Sequence, residues 1–306
     1  MHGVCIYVRR LVRSSKARNR IFLFATAFLF STGGAAIKAS ALSSWQVAGF
    51  RSGIAAAALY LFLPGARRGW TLRTWLIGSA YAATLILYVL ANKLTTSANA
   101  IFLQSTAPLY LLLLGPLVLK EPVRRVDLAV VTAVATGAVL LLSGSETIVG
   151  TAPNPHLGNI LGVASGLTWA LTLAGLRWMS KTANTGKAAA SEDAGAATVI
   201  AGNVIAFVVC LPMALPAVRV TVADVSVLVY LGVFQIGLAY VLLTRSLRQV
   251  TGIEAATLLM LEPVFNPLWS WLIHGEKPSS RAIAGGAMIV LAALAGTWWQ
   301  ERFGSD

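Results

Sequence analysis

Along this chain the polar residues do not alternate with the apolar ones; they separate long apolar runs. Ten such runs lie near residues 20–38, 45–63, 72–92, 97–119, 126–143, 157–178, 196–216, 222–244, 252–273 and 281–300. A helix of about 20 apolar residues crosses the hydrocarbon core of a bilayer. Buried strands of a soluble α/β protein are much shorter. The pattern therefore predicts an all-α integral membrane protein with ten transmembrane helices and mostly short connections. Composition agrees: only 11% of the residues are charged and 57% are hydrophobic, against roughly 25% charged in soluble domains.

The basic residues orient those spans. With the N-terminus in the cytoplasm, 18 of the 24 lysines and arginines fall on the cytoplasmic side, including Arg9, Arg10, Arg13, Lys16, Lys120, Arg124, Lys187 and Arg248. Five fall on the opposite side: Lys38, Lys93, Arg219, Lys277 and Arg281. An excess of Lys and Arg in cytoplasmic loops is the positive-inside rule. Ten spans then place both termini in the cytoplasm, including the tail 301–306. The net charge of +13 reads as membrane orientation, with no nucleic-acid partner. The polar connection TANTGKAAASEDAGA is a flexible loop without a domain of its own.

The chain repeats itself. ANAIFLQSTAPLYLLLLGPLVLKEP from residue 98 aligns without gaps on IEAATLLMLEPVFNPLWSWLIHGEK from residue 253, a shift of 155. Ala100 then meets Ala255, Leu103 meets Leu258, Pro108 meets Pro263, Leu117 meets Leu272 and Glu121 meets Glu276. A fainter echo sets Phe30 against Trp169 and Lys38 against Arg177. The expected domains are a first five-helix repeat over 1–143 and a second over 157–300. An odd number of spans per repeat inverts the second, a recurring plan among secondary transporters.

APLYLLLLGPLVLKEP, LEPVFNPLWSWLIHGEK and FRSGIAAAALYL, set in two five-span halves, resemble the drug/metabolite transporter superfamily, EamA type. The resemblance covers essentially the whole chain. It implies a bacterial inner-membrane transporter that exports amino acids, other small metabolites or toxic compounds. Among its members the chain is most similar to exporters of aromatic and other amino acids. One departure stands out: Ala107 occupies the position where the second half has Glu262.

Glu262 lies near the middle of the ninth run. Acids at that depth are costly and usually face a bundle interior or a water-filled cavity. Pro263 and Pro267 remove backbone donors and bend the helix, as Pro108 and Pro116 do in the fourth run. These four are the expected hinges. Asn266 lies one turn from Glu262, and Gln104 one turn before Pro108. Either Glu262 lines a substrate path, where it binds an ammonium group or carries a proton, or it ties its helix to a neighbour. Tyr81, Thr84 and Tyr88 share one helical face, and Trp169, Gln235 and Tyr240 lie inside other spans. Such residues suit a stacking cage for a flat or apolar side chain; ordinary packing is the other reading of each. Arg51 lies inside the second run, as a cap for carbonyls or a ligand for carboxylates.

Ala129, Ala133 and Gly137, and Ala292 and Gly296, recur every four residues. Such small faces suit close helix packing within the chain or against a second copy. Cys5, Cys210, His2, His156 and His274 form no metal set, and no cofactor motif is present. Gly186-Lys187 lacks the rest of a phosphate loop. The sequence thus predicts a secondary transporter that exports small metabolites, amino acids including aromatic ones above all, by alternating access. The alternatives are drug efflux on the same fold and, more distantly, a membrane-embedded enzyme.

Overall fold

The computed structural model describes residues 18–68, 70–116, 125–143, 149–182, 188–216, 220–247, 255 and 258–303. Glu121, Leu117, Lys120, Arg124, Lys187, Arg219, Arg248, the basic residues before Arg18 and the last three residues of the tail lie outside them.

Helix occurs in all ten apolar runs. The elements are α1 (Arg18–Ala39), α2 (Ser44–Phe62), α3 (Leu72–Leu94), α4 (Ser97–Gln104), α5 (Ala107–Leu114), α6 (Arg125–Leu142), α7 (Pro155–Thr182), α8 (Ala188–Ala214), α9 (Val222–Ser246), α10 (Leu261–His274) and α11 (Ser280–Phe303). By length and apolarity, α1, α3, α7, α8 and α9 suffice to cross a membrane. Among the described residues the only β pairing is an isolated bridge between Val149 and Ala152.

The helix starts are written locally. Ser43 with Gln46, and Thr71 with Thr74, form reciprocal capping boxes at α2 and α3, and Thr221 with Asp224 does so at α9. Each closes two backbone donors that the helix itself leaves without a partner. The outward faces are apolar: Leu72, Val139, Leu272, Ile273 and Leu291 are all well exposed. A bilayer tolerates such a surface, whereas a soluble monomer rarely carries one of this extent.

The fourth run corrects the expectation of one continuous helix over 97–119. The chain turns at Ser105 and Thr106, between α4 and α5. Pro108 has no N–H and would press on the carbonyl of Gln104, so a helix cannot run through unbroken. Placed at the second position of α5, the proline costs little, because the first N–H groups of a helix have no intrahelical partner. The ninth run behaves alike. It turns at Met260, and Pro263 falls in the first turn of α10. Pro267 stays inside α10.

α3 packs along α7 and α8, α2 along α8 and α9, and α6 along α11, while α10 meets α1 and α4. The small faces serve the α6–α11 contact. A Cβ on Gly137 would come 2.7 Å from the Gly285 carbonyl, and one on Gly296 2.8 Å from Val130. This is packing within the chain.

Candidate functional site

A cavity of about 170 Å³ opens where the interrupted helices meet. The α4–α5 break contributes Gln104 and Ser105, and the break before α10 contributes Leu259, Met260, Glu262 and Pro263. A third interruption faces it. The middle of α9, Tyr230–Leu238, is wound as a π-helix, and it presents Gln235 and Ile236 to the cavity. π-Helical segments often mark functional sites, because the wide turn redirects side chains.

Glu262 stands in the first turn of α10 and lines the cavity. The partial positive charge of a helix N-terminus favours a carboxylate there. Among the described residues no ion pair engages it.

Aromatic rings form one wall. Phe30 and Tyr240 meet edge-on at 5.4 Å between centroids, and Tyr81 lies 6.2 Å from both Tyr240 and Trp169. Thr84 and Tyr88 line the cavity one and two turns along α3 from Tyr81. Thr84 Oγ1 donates to Thr168 Oγ1 at 3.0 Å, and Gln104 Nε2 donates to Ser165 Oγ at 3.1 Å. These bonds tie α3 and α4 to α7.

Eight of the nine residues singled out from the sequence thus surround one cavity: Glu262, Tyr81, Thr84, Tyr88, Gln104, Trp169, Gln235 and Tyr240. Asn266 stands behind the wall. It is fully buried and donates from Nδ2 to the Tyr88 hydroxyl at 3.1 Å. Of the four prolines, Pro263 lines the cavity, Pro108 starts the helix beside it, Pro267 lies one turn along α10, and Pro116 is exposed.

Arg51 lines the cavity as well, and its Nη2 caps the Leu85 carbonyl at 3.2 Å. Phe30 was signalled only by its echo against Trp169. Ser105, Leu259 and Met260 line the cavity because the chain breaks there, and the prolines that follow announce the breaks. Leu85, Ile101 and Ile236 look like any other apolar residue in the sequence.

A second polar cluster closes one end of the bundle, away from the cavity. Lys38, at the end of α1, pairs with Glu276, just past α10, at 2.8 Å with both side chains 2–3% exposed. Lys38 also donates to the carbonyls of Thr95 and Thr151, and Glu276 accepts from the Ser97 N–H at 3.0 Å. Beside them Lys93 donates to the Ser40 carbonyl, and Asp224 accepts from the Ser40 hydroxyl at 2.8 Å. Residues from both ends of the sequence are locked together here.

The profile of the EamA-like transporter family matches residues 19–143 and again 156–297. The pseudopaline exporter CntI of Pseudomonas aeruginosa, in two strains, is 25% identical over 279 residues, which is 88% of this chain and 92% of the relative. An uncharacterised transporter of Methanothermobacter thermautotrophicus is 23% identical over 235 residues, 76% of this chain and 64% of the relative. A solved crystal structure superposes with a TM-score of 0.58 at 20% identity, covering 91% of this chain and 98% of its own.

Proposed function

This chain belongs to the EamA-like transporter family of the drug/metabolite transporter superfamily, and from that premise we propose that it exports amino acids, aromatic ones included, by alternating access. The observation that carries this reading is the carboxylate of Glu262, which has no ion pair among the described residues and is set at a helix break, facing an aromatic-walled cavity. An ammonium group seeks that carboxylate, and a flat or apolar side chain seeks the rings of Phe30, Tyr81, Trp169 and Tyr240. Gln104, Thr84, Tyr88 and Gln235 supply the remaining polar contacts, and Asn266 holds Tyr88. Size favours a small cargo over a drug: about 170 Å³ stands below the roughly 300–1,000 Å³ of drug-sized sites. That CntI is an exporter supports the outward direction.

The movement follows from two halves, 1–143 and 157–300, with the second inverted. Two matches of the family profile and two helix breaks set 155 residues apart support that division. Rocking of the halves about the breaks exposes the cavity to each side in turn, with Pro108 and Pro263 as hinges. The Lys38–Glu276 cluster holds the extracytoplasmic mouth shut, and export requires it to part. Both termini face the cytoplasm, and the chain resides in a bacterial inner membrane.

Purified protein in liposomes is expected to equilibrate labelled phenylalanine and other amino acids without ATP. A flat trace for all of them overturns the amino-acid reading. A water-soluble thiol reagent is expected to reach Tyr88→Cys; complete protection in membranes removes the wet path. A reporter fused after residue 306 is expected to signal from the cytoplasm, and a signal from the opposite side breaks the ten-span topology.

A further inference from the structure

The cavity holds a second charge that the transport reading leaves unused. Arg51 is 2% exposed and lies inside α2, the helix of the second apolar run. Guanidinium keeps its proton under all ordinary conditions, and a full charge in such a place is costly unless it is paired or lines a pathway. Arg51 has half of what it needs. Its Nη2 donates to the Leu85 carbonyl at 3.2 Å, yet its Nε has no hydrogen-bond partner among the described residues. Among the described residues, the titratable groups that act on it are the hydroxyls of Tyr81 and Tyr88 and the thiol of Cys210, whose ordinary pKa values lie above neutrality. Arg51 and Glu262 line the same cavity but form no ion pair, although Tyr81 and Tyr88 lie within electrostatic reach of both.

The cavity is therefore lined by a guanidinium and a carboxyl group that form no ion pair with each other, together with aromatic rings. The same cavity is lined by Gln235, whose Oε1 is buried with no hydrogen-bond partner among the described residues, while its Nε2 donates to the Phe30 carbonyl at 3.4 Å. A zwitterion completes this arrangement. Its carboxylate takes the guanidinium, whose fork of N–H donors matches two carboxylate oxygens. Its ammonium takes Glu262 and Gln235.

We propose that Arg51 anchors the carboxylate of the cargo, so that the site accepts small zwitterions and carboxylates and rejects the corresponding amines. This rests on the transport reading above and narrows it to a chemical class. A merely structural Arg51, capping Leu85 and nothing else, gives no such selectivity.

The test titrates the full-length purified protein in detergent with phenylalanine, 3-phenylpropionate and 2-phenylethylamine, reading tryptophan fluorescence, and repeats the series as competition for phenylalanine exchange in liposomes. Phenylalanine is expected to bind tightest, and the amine about tenfold or more weaker, the loss of one charge-assisted pair. Arg51→Gln is expected to bring phenylalanine down to the level of the amine, and Arg51→Lys to keep part of the preference. Glu262→Gln provides a second arm if the arginine variants fail to fold. It is expected to weaken phenylalanine and 2-phenylethylamine while sparing 3-phenylpropionate.

An amine that binds the parent protein as tightly as phenylalanine overturns the anchor, as does an Arg51→Gln variant that weakens all three ligands equally. If phenylalanine exchange persists in those cases, the amino-acid reading stands without the anchor. If none of the three binds or moves, the anchor falls together with the aromatic amino-acid reading.

Discussion

The break between α4 and α5 falls at Ser105 and Thr106; the break before α10 falls at Met260, which a shift of 155 residues sets against Ser105. Both are followed by a proline in the first turn of the next helix, Pro108 in one and Pro263 in the other. Both line the cavity. They differ in chemistry. The first carries neutral Gln104 and Ser105, with Ala107 beside Pro108, while the second carries Glu262 beside Pro263. Since the first half breaks its helix without an acid, the break does not need one. Proline suffices, through its missing donor and its ring. Glu262 is thus surplus to the helix break, which is why the proposed function assigns it to the cargo. Beyond α10, Glu276 is bolted to Lys38.

The largest effect is expected at that bolt. Lys38→Ala leaves Glu276 buried without its partner, and removal of one member of a buried pair costs about 3–5 kcal/mol. Thermal unfolding in detergent should shift downward accordingly, and a thiol at Tyr88→Cys should label faster from outside. An unchanged melting curve and labelling rate would show that the pair does not hold the mouth.

Next comes the acid. Glu262→Gln is expected to lower amino-acid transport about tenfold or more, the loss of a charge-assisted contact. If the carboxylate also carries a proton, the same variant loses the pH dependence of transport. Ala107→Glu, placed on the other break, should not restore the rate in a Glu262→Ala background, because Ala107 is buried outside the cavity lining. Full rescue would make the two breaks interchangeable.

A smaller effect is expected at the hinges. Pro263→Ala and Pro108→Ala restore a backbone donor and allow the helix to run on, so transport should slow several-fold while binding stays close to that of the parent. The smallest is steric. A Cβ on Gly166 would come 2.8 Å from the Leu103 carbonyl and Thr106 Oγ1, against the first break. A Cβ on Gly34 would meet Asn266 Oδ1 at 2.6 Å, behind the second. Gly166→Ala and Gly34→Ala are each expected to cost about 1–3 kcal/mol of stability, and the Gly34 variant to disturb ligand affinity through Tyr88. Equal behaviour of the two would argue that only the breaks, and not their surroundings, differ.

Much of the site was legible because membrane burial makes polar residues conspicuous. Glu262, Gln104, Thr84, Gln235 and Arg51 stand out against a background of Leu, Val and Ala, and there a polar side chain has few places to go but a cavity. Tyr81, Tyr88, Trp169 and Tyr240 were harder, since aromatic residues serve packing and membrane interfaces equally well. Asn266 shows the limit. Its polarity marked it, but whether it faces the cavity or supports Tyr88 from behind depends on the rotation of α10 about its axis, and a pattern of residue types does not fix that.

What the amino-acid sequence determined by itself is the helices, their membrane setting and the places where they cannot continue. Apolar runs need a hydrocarbon solvent, and prolines forbid an unbroken backbone ladder wherever they fall. The tertiary structure alone decided that the breaks of two distant segments and the π-helical turn of α9 converge on one cavity. It also paired Lys38 with Glu276 across 238 positions of sequence, and left Arg51 and Glu262 apart although both face the same space. Those outcomes depend on which helix packs against which. Close packing couples every helix to several others at once, so they follow from the whole arrangement and from no local stretch of the chain.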